Sequence, residues 1–137
     1  MGSIAKGNRS VKKAITHEQH HGRIVEKVER GGRFAKSKDL FAGLCLNCLQ
    51  DNCEEPCKDR FSGFDLISLE KGKVNGVIRL IQVKTNTPAV QDGYKKFASL
   101  FAGKYLRVFV YTWYDRRGFR IQEYLKNKTI KETDLRK

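Results

Sequence analysis

No apolar run in the chain approaches the roughly 18 residues that a membrane-spanning helix needs, and the N-terminus lacks the apolar core of a secretory signal. The start Met1-Gly2-Ser3 is a poor myristoylation signal, because Lys6 stands where Ser or Thr is wanted. These absences predict a soluble, cytoplasmic protein that makes no use of a membrane. Internal repeats and low-complexity segments are missing as well, which excludes fibrous and long-range disordered classes. Acidic residues are scarce: 15 Asp plus Glu stand against 28 Lys plus Arg, a net charge of +13. A surplus of that size steers polyanions in at long range, nucleic acid first and anionic membrane second. The 137 residues, 39% of them hydrophobic and 10% aromatic, suffice for one domain around one core and leave little room for a two-domain enzyme.

Residues 1–13 carry Lys6, Arg9, Lys12 and Lys13 without an acid and read as a basic N-terminal arm. A single domain over residues 14–125 and a charged, frayed or weakly helical tail over 126–137 complete the division. Ile24, Val25 and Val28 fall at helical spacing, so a helix from Val11 or Thr16 to Arg30 is expected, with Glu18 on the inward azimuth of Val25 and Gly31-Gly32 as its stop. Arg33 to Ser37 is a short candidate strand. Phe61 to Leu69 is a second, placing Asp65, Ile67 and Leu69 on one face. Val77 to Lys84 has the apolar density of a central strand, on which Gln82 and Lys84 point to the same side. Pro88 opens a helix carrying Tyr94, Phe97 and Phe101 at helical spacing, and Gly103 closes it. Leu106 to Tyr114, the turn Asp115-Arg116-Arg117-Gly118 and Phe119 to Tyr124 form a hairpin. The expected order is α, β, β, β, α, β, β, an α/β domain with one mixed sheet of about five strands flanked by helices.

An acid in mid-strand at Asp65, followed on the next strand by Gln82 and Lys84, demands an account. A buried charge costs several kcal/mol unless it is paired or bound to metal, so either Asp65 and Lys84 form a salt bridge or the group serves chemistry. Ser62-Gly63-Phe64-Asp65-Leu66-Ile67 with Leu80-Ile81-Gln82-Val83-Lys84 resembles the signature of the PD-(D/E)XK nuclease superfamily. The nearest likenesses are archaeal Holliday-junction resolvases and small archaeal viral and phage nucleases, and the element order fits their plan across residues 16–124. The resemblance implies a restriction-endonuclease-like core and a Mg2+-dependent (or Mn2+-dependent) DNA endonuclease, a hydrolase acting on branched or double-stranded DNA as a homodimer. It also implies that Asp65 bridges to the ion, that Gln82 offers its side-chain oxygen, and that Lys84 orients the water and stabilises negative charge on the scissile phosphate. The family's first helix supplies a Glu. Glu18 has the inward azimuth and is the choice for it; alignment on the following apolar residues would put His21 there, and Glu26 projects away. The family's Pro before the Asp is replaced by Phe64, and Gln82 carries one charge fewer than the usual Glu. The same fold as a catalytically weak or inactive DNA-binding relative is the alternative. Arg9, Lys12, Lys13, Arg30, Arg33, Lys36 and Lys38 are the expected phosphate contacts.

Cys45, Cys48, Cys53 and Cys57 lie within one insert, residues 45–57, spaced C-x2-C-x4-C-x3-C. The first pair is of the knuckle type that chelates one tetrahedral ion, so structural Zn2+ is plausible; two short disulfides or a cluster are the alternatives. A zinc-binding adaptor is the corresponding non-enzymatic reading. His17 and His21 lie one turn apart but lack further partners, so His17, His20 and His21 read as surface or DNA-facing. Tyr111, Trp113 and Tyr114 read as core and sheet face before base-stacking platform.

Overall fold

A computed structural model describes residues 2–27, 40–41, 44–45, 64–70, 76–89 and 91–137. Helix α1 (Gly2–His20) is followed by strand β1 (Arg23–Lys27), a two-residue pair β2 (Leu40–Phe41) and β3 (Leu44–Cys45), then β4 (Leu66–Glu70) and β5 (Ile78–Thr85). Helix α2 (Gln91–Phe101) leads to β6 (Leu106–Tyr114), β7 (Gly118–Tyr124) and β8 (Ile130–Asp134). The six-stranded sheet has the order β1-β4-β5-β6-β7-β8; β2 and β3 pair separately. Only the β5–β6 pair is parallel, as the crossover through α2 requires, and the sheet is therefore mixed.

The two helices cover opposite faces. Ala14 of α1 packs with Leu66, Ile81, Val83, Phe109, Tyr111 and Phe119 on one side. Tyr94, Ala98 and Ala102 of α2 and its C-terminal end pack with Phe64, Val108, Val110 and Tyr124 on the other. Strand alternation assigns the faces: Arg79, Ile81 and Val83 of β5 are buried towards α1, so Leu80, Gln82 and Lys84 turn to the α2 side. Phe64, standing where the resembled family has Pro, holds the start of β4 to α2 through edge contacts with Tyr94 and Phe97, ring centroids 5.8 and 5.1 Å apart.

The N-terminal third departs from the sequence reading. Residues 2–13 are the first turns of α1, where an arm was expected, and the helix stops at His20 instead of running to Arg30. Gly22, at φ 75°, is its C-cap, and the His21 and Gly22 amides bond back to the Glu18 and Gln19 carbonyls at 3.1 and 2.9 Å. Ile24 and Val25 belong to β1, paired with Leu69 and Ser68 of β4. Ser10, Ala14 and Glu18, spaced by four, form the buried stripe of α1; its first two members are small enough to bring the helix close to the sheet. The C-terminal stretch also differs, because Ile130–Asp134 is a strand on β7 and not a frayed tail. The strand expected at Arg33–Ser37 lies outside the described residues.

The β6–β7 hairpin closes at Gly118, with φ 120°, and a β-carbon there would meet the Leu135 carbonyl oxygen at 3.2 Å. Gly118→Ala is expected to destabilise the fold by about 1–3 kcal/mol in a thermal or denaturant melt. Gly103→Ala, where nothing lies within 4 Å, is the neutral control.

Candidate active site

Asp65 stands at the bend that begins β4. Its amide donates to the Ile81 carbonyl at 2.9 Å, and its carboxylate Oδ2 accepts the Val83 amide, also at 2.9 Å. Val83 is the residue between Gln82 and Lys84, so a short carboxylate takes a ladder position on β5 beside the two residues that share the α2 face. The residue is 6% exposed, whereas Gln82 and Lys84 are half-buried. The Asp65 carboxylate is thus tied to the backbone of β5 between Gln82 and Lys84.

Thr112 joins them from β6. It is the parallel-register partner of Lys84, 1% exposed, and among the described residues its hydroxyl makes no hydrogen bond. Nothing in the sequence pointed to Thr112, because the register of β5 on β6 is a long-range property.

Glu18 is not brought to this group. It is fully buried on the α1 face, where Oε1 accepts from Arg79 Nε at 2.9 Å and Ser68 Oγ at 3.0 Å, and Oε2 from the Tyr111 hydroxyl at 2.6 Å and Arg23 Nη1 at 3.0 Å. Arg79 in turn donates to the Tyr111 oxygen at 2.8 Å and stacks over Phe109, 4.0 Å from the ring centroid. Arg79 precedes Lys84 by five residues, roughly 16 Å of strand, and faces the other side of the sheet. The helix carboxylate is a structural ion pair, and the helix residue at the Lys84 end is Ser10, whose hydroxyl is 2.6 Å from that of Thr85. Burial by itself raises the Glu18 pKa; the Tyr111 hydroxyl, Arg79, Arg23 and Ser68 outweigh it, and the net shift is downward. Burial pushes the Tyr111 hydroxyl up, so it donates to Glu18 as a neutral phenol at all ordinary pH.

Asp65 and Gln82 offer hard oxygen atoms of the type Mg2+ takes, and the partnerless Thr112 hydroxyl beside Lys84 is a polar atom that a ligand's water could satisfy. Were an ion held there, these donors would give it one anionic ligand and leave it several of its own waters. No group of three His, Cys, Asp or Glu converges among the described residues. Neither protein-family models, nor curated proteins, nor solved structures show a match to this chain.

Of the expected phosphate contacts, Arg9, Lys12 and Lys13 are exposed on α1. Arg30, Arg33, Lys36 and Lys38 lie outside the described residues, as do Cys48, Cys53 and Cys57; Cys45 ends β3. His20 and His21 are exposed, but His17 packs edge-on against Tyr111, centroids 5.7 Å apart, and burial lowers its pKa, with the neighbouring His21 adding to the shift. Tyr111 is core, as expected from the sequence, while Trp113 is half-buried and lines a basic cleft with Arg9 and Lys13. No helix among the described residues is long and apolar enough to cross a membrane.

Proposed function

We propose that the protein is a Mg2+-dependent DNA endonuclease acting on branched or double-stranded DNA, with a nuclease-like core of the PD-(D/E)XK kind and a second copy to cut the opposite strand. The observation that carries the reading is the Asp65 carboxylate seated on the backbone amide between Gln82 and Lys84. Asp65 and Gln82 would hold the ion, whose charge polarises the phosphate and lowers the pKa of bound water. The Lys84 ammonium aligns the attacking water and neutralises charge on the phosphate, and the net charge of +13 draws the polyanion in.

A second reading has its own observation. With Glu18 committed to Arg79 and Tyr111, Asp65 is the carboxylate left to this site among the described residues, so the scaffold would bind DNA without cutting it. Incubation with plasmid and four-way-junction DNA in Mg2+ or Mn2+ separates the two. Metal-dependent nicking is expected; tight binding with no cutting of either substrate selects the second reading. In both cases affinity should fall roughly 10^3- to 10^5-fold between 50 and 200 mM salt if six to ten phosphates are contacted.

A further inference from the structure

A cleft of about 480 Å3 opens on the α1 face at the same end of the sheet as Lys84, lined by Arg9, Ser10, Lys13, Trp113, Asp115 and Arg116. Its place follows from register. Thr85 and Trp113 are parallel partners one residue beyond Lys84 and Thr112, and the alternation of β5 and β6 turns them to the opposite face, where Ser10 meets Thr85. The cleft therefore sits beside the carboxyl ends of two parallel strands, where α/β sheets take their ligands.

The walls are built, not incidental. The Lys13 ammonium lies 4.5 Å from the centroid of the Trp113 ring, held at the wall by the indole face. Phe119 fixes that ring from another side, edge-on with centroids 4.9 Å apart. The rim is latched: Asn86, at φ 59°, donates from Nδ2 to Asp115 Oδ2 and accepts the Asp115 amide at Oδ1, both at 3.0 Å, while its own amide bonds the Trp113 carbonyl at 2.7 Å. Arg116 itself sits at φ 65°, a left-handed backbone that favours glycine or asparagine over arginine. A guanidinium kept at such a position is a cost of the kind that collects at binding sites. Arg9, Lys13 and Arg116 against Asp115 leave a formal surplus of two positive charges, 3 − 1 = +2.

The geometry points to a nucleotide-binding cleft that grips a phosphate of a nucleic-acid strand, together with its sugar or base, as the strand passes round the sheet end next to Lys84. Guanidinium forks at Arg9 and Arg116 suit a phosphodiester, the Ser10 hydroxyl adds a neutral contact, and the volume exceeds what a bare phosphate ion needs. The inference is independent of whether the Asp65 group cuts.

Trp113 is the only tryptophan of the chain, so its emission reports on this cleft alone. The full chain is titrated in EDTA with a short single-stranded oligonucleotide, with inorganic phosphate and with a poly-glutamate peptide. The oligonucleotide should give a saturable change in Trp113 emission, with phosphate and the peptide far weaker. Arg9→Ala, Arg116→Ala and Arg116→Gly should each weaken the oligonucleotide about tenfold and lower the slope of log affinity against log salt by about 1. Arg116→Gly relieves the backbone, so it removes the guanidinium without unfolding the hairpin. Phosphate or poly-glutamate binding as tightly as the oligonucleotide overturns the assignment, as does unchanged affinity and salt slope in the arginine variants. DNA cleavage that persists beside such an insensitive cleft refutes the cleft and keeps the nuclease; a responsive cleft with no cleavage supports the cleft and refutes the nuclease.

Discussion

Lys84→Ala is expected to lower metal-dependent DNA cleavage by about 10^2- to 10^3-fold, the usual effect of removing a charge that stabilises a developing oxyanion. Its melting temperature should stay near that of the parent, because the residue is only half-buried near the end of β5. Asp65→Asn should be at least as damaging to cleavage. It keeps a side-chain oxygen for the Val83 amide, so the bend at β4 survives while the anionic ligand is lost. Single-turnover cleavage rates alongside thermal melts check both. Rates within a few-fold of the parent in either variant would remove these residues from the chemistry and leave a cationic α/β fold that binds DNA. Lys84→Arg offers a finer reading: the positive charge is kept but its shape is changed, and only partial recovery is expected.

Glu18→Ala should cost about 3–5 kcal/mol, because it strands Arg79 as a buried cation without its anion and leaves the Tyr111 hydroxyl without its acceptor. For a domain of this size that corresponds to a fall in melting temperature of more than about 10 °C. Glu18→Gln keeps the volume and loses only charge, so it separates electrostatics from packing. The pH dependence has a definite sign. The folded-state pKa of Glu18 lies below its unfolded value, so the stabilisation is present in full above about pH 4.3 and is lost as pH falls through the lowered native value. The parent should therefore lose stability on acidification below that point, and Glu18→Gln should lose less. Denaturant melts from neutral pH into this acid range measure the difference. Replacing the pair together, Glu18→Leu with Arg79→Met, should be less harmful than Glu18→Ala alone, since no unpaired charge is left behind. Single variants within about 1 kcal/mol of the parent would contradict the network.

Glu18 and Asp65 show where reading the chain succeeds and where it stops. Gln82 and Lys84 were legible on one face because period-2 alternation fixes faces, and Asp65 was conspicuous as a charge in an apolar stretch, although it stands at the bend before β4 and not in mid-strand. Strand β6 and the β6–β7 hairpin were legible for a similar reason: a long β-branched and aromatic run ends at a turn that glycine closes. The N-terminal region misled because Ile24 and Val25 satisfy a helical period and a strand period equally over so few residues. Gly22, a single glycine among polar neighbours, decided between them by taking the left-handed cap.

By itself the amino-acid sequence determined an α/β domain with a strong positive charge, the strand that carries Gln82 and Lys84, and the hairpin that ends in Gly118. These follow from local periodicity and composition, which act over a few residues. Only the tertiary structure decided that Glu18 pairs with Arg79 and Tyr111, that Thr112 lies beside Lys84, and that Arg9, Lys13, Trp113 and Arg116 enclose one cleft. Each of those depends on strand register and helix placement across distant segments, which are set by the packing of two cores on opposite faces of one sheet.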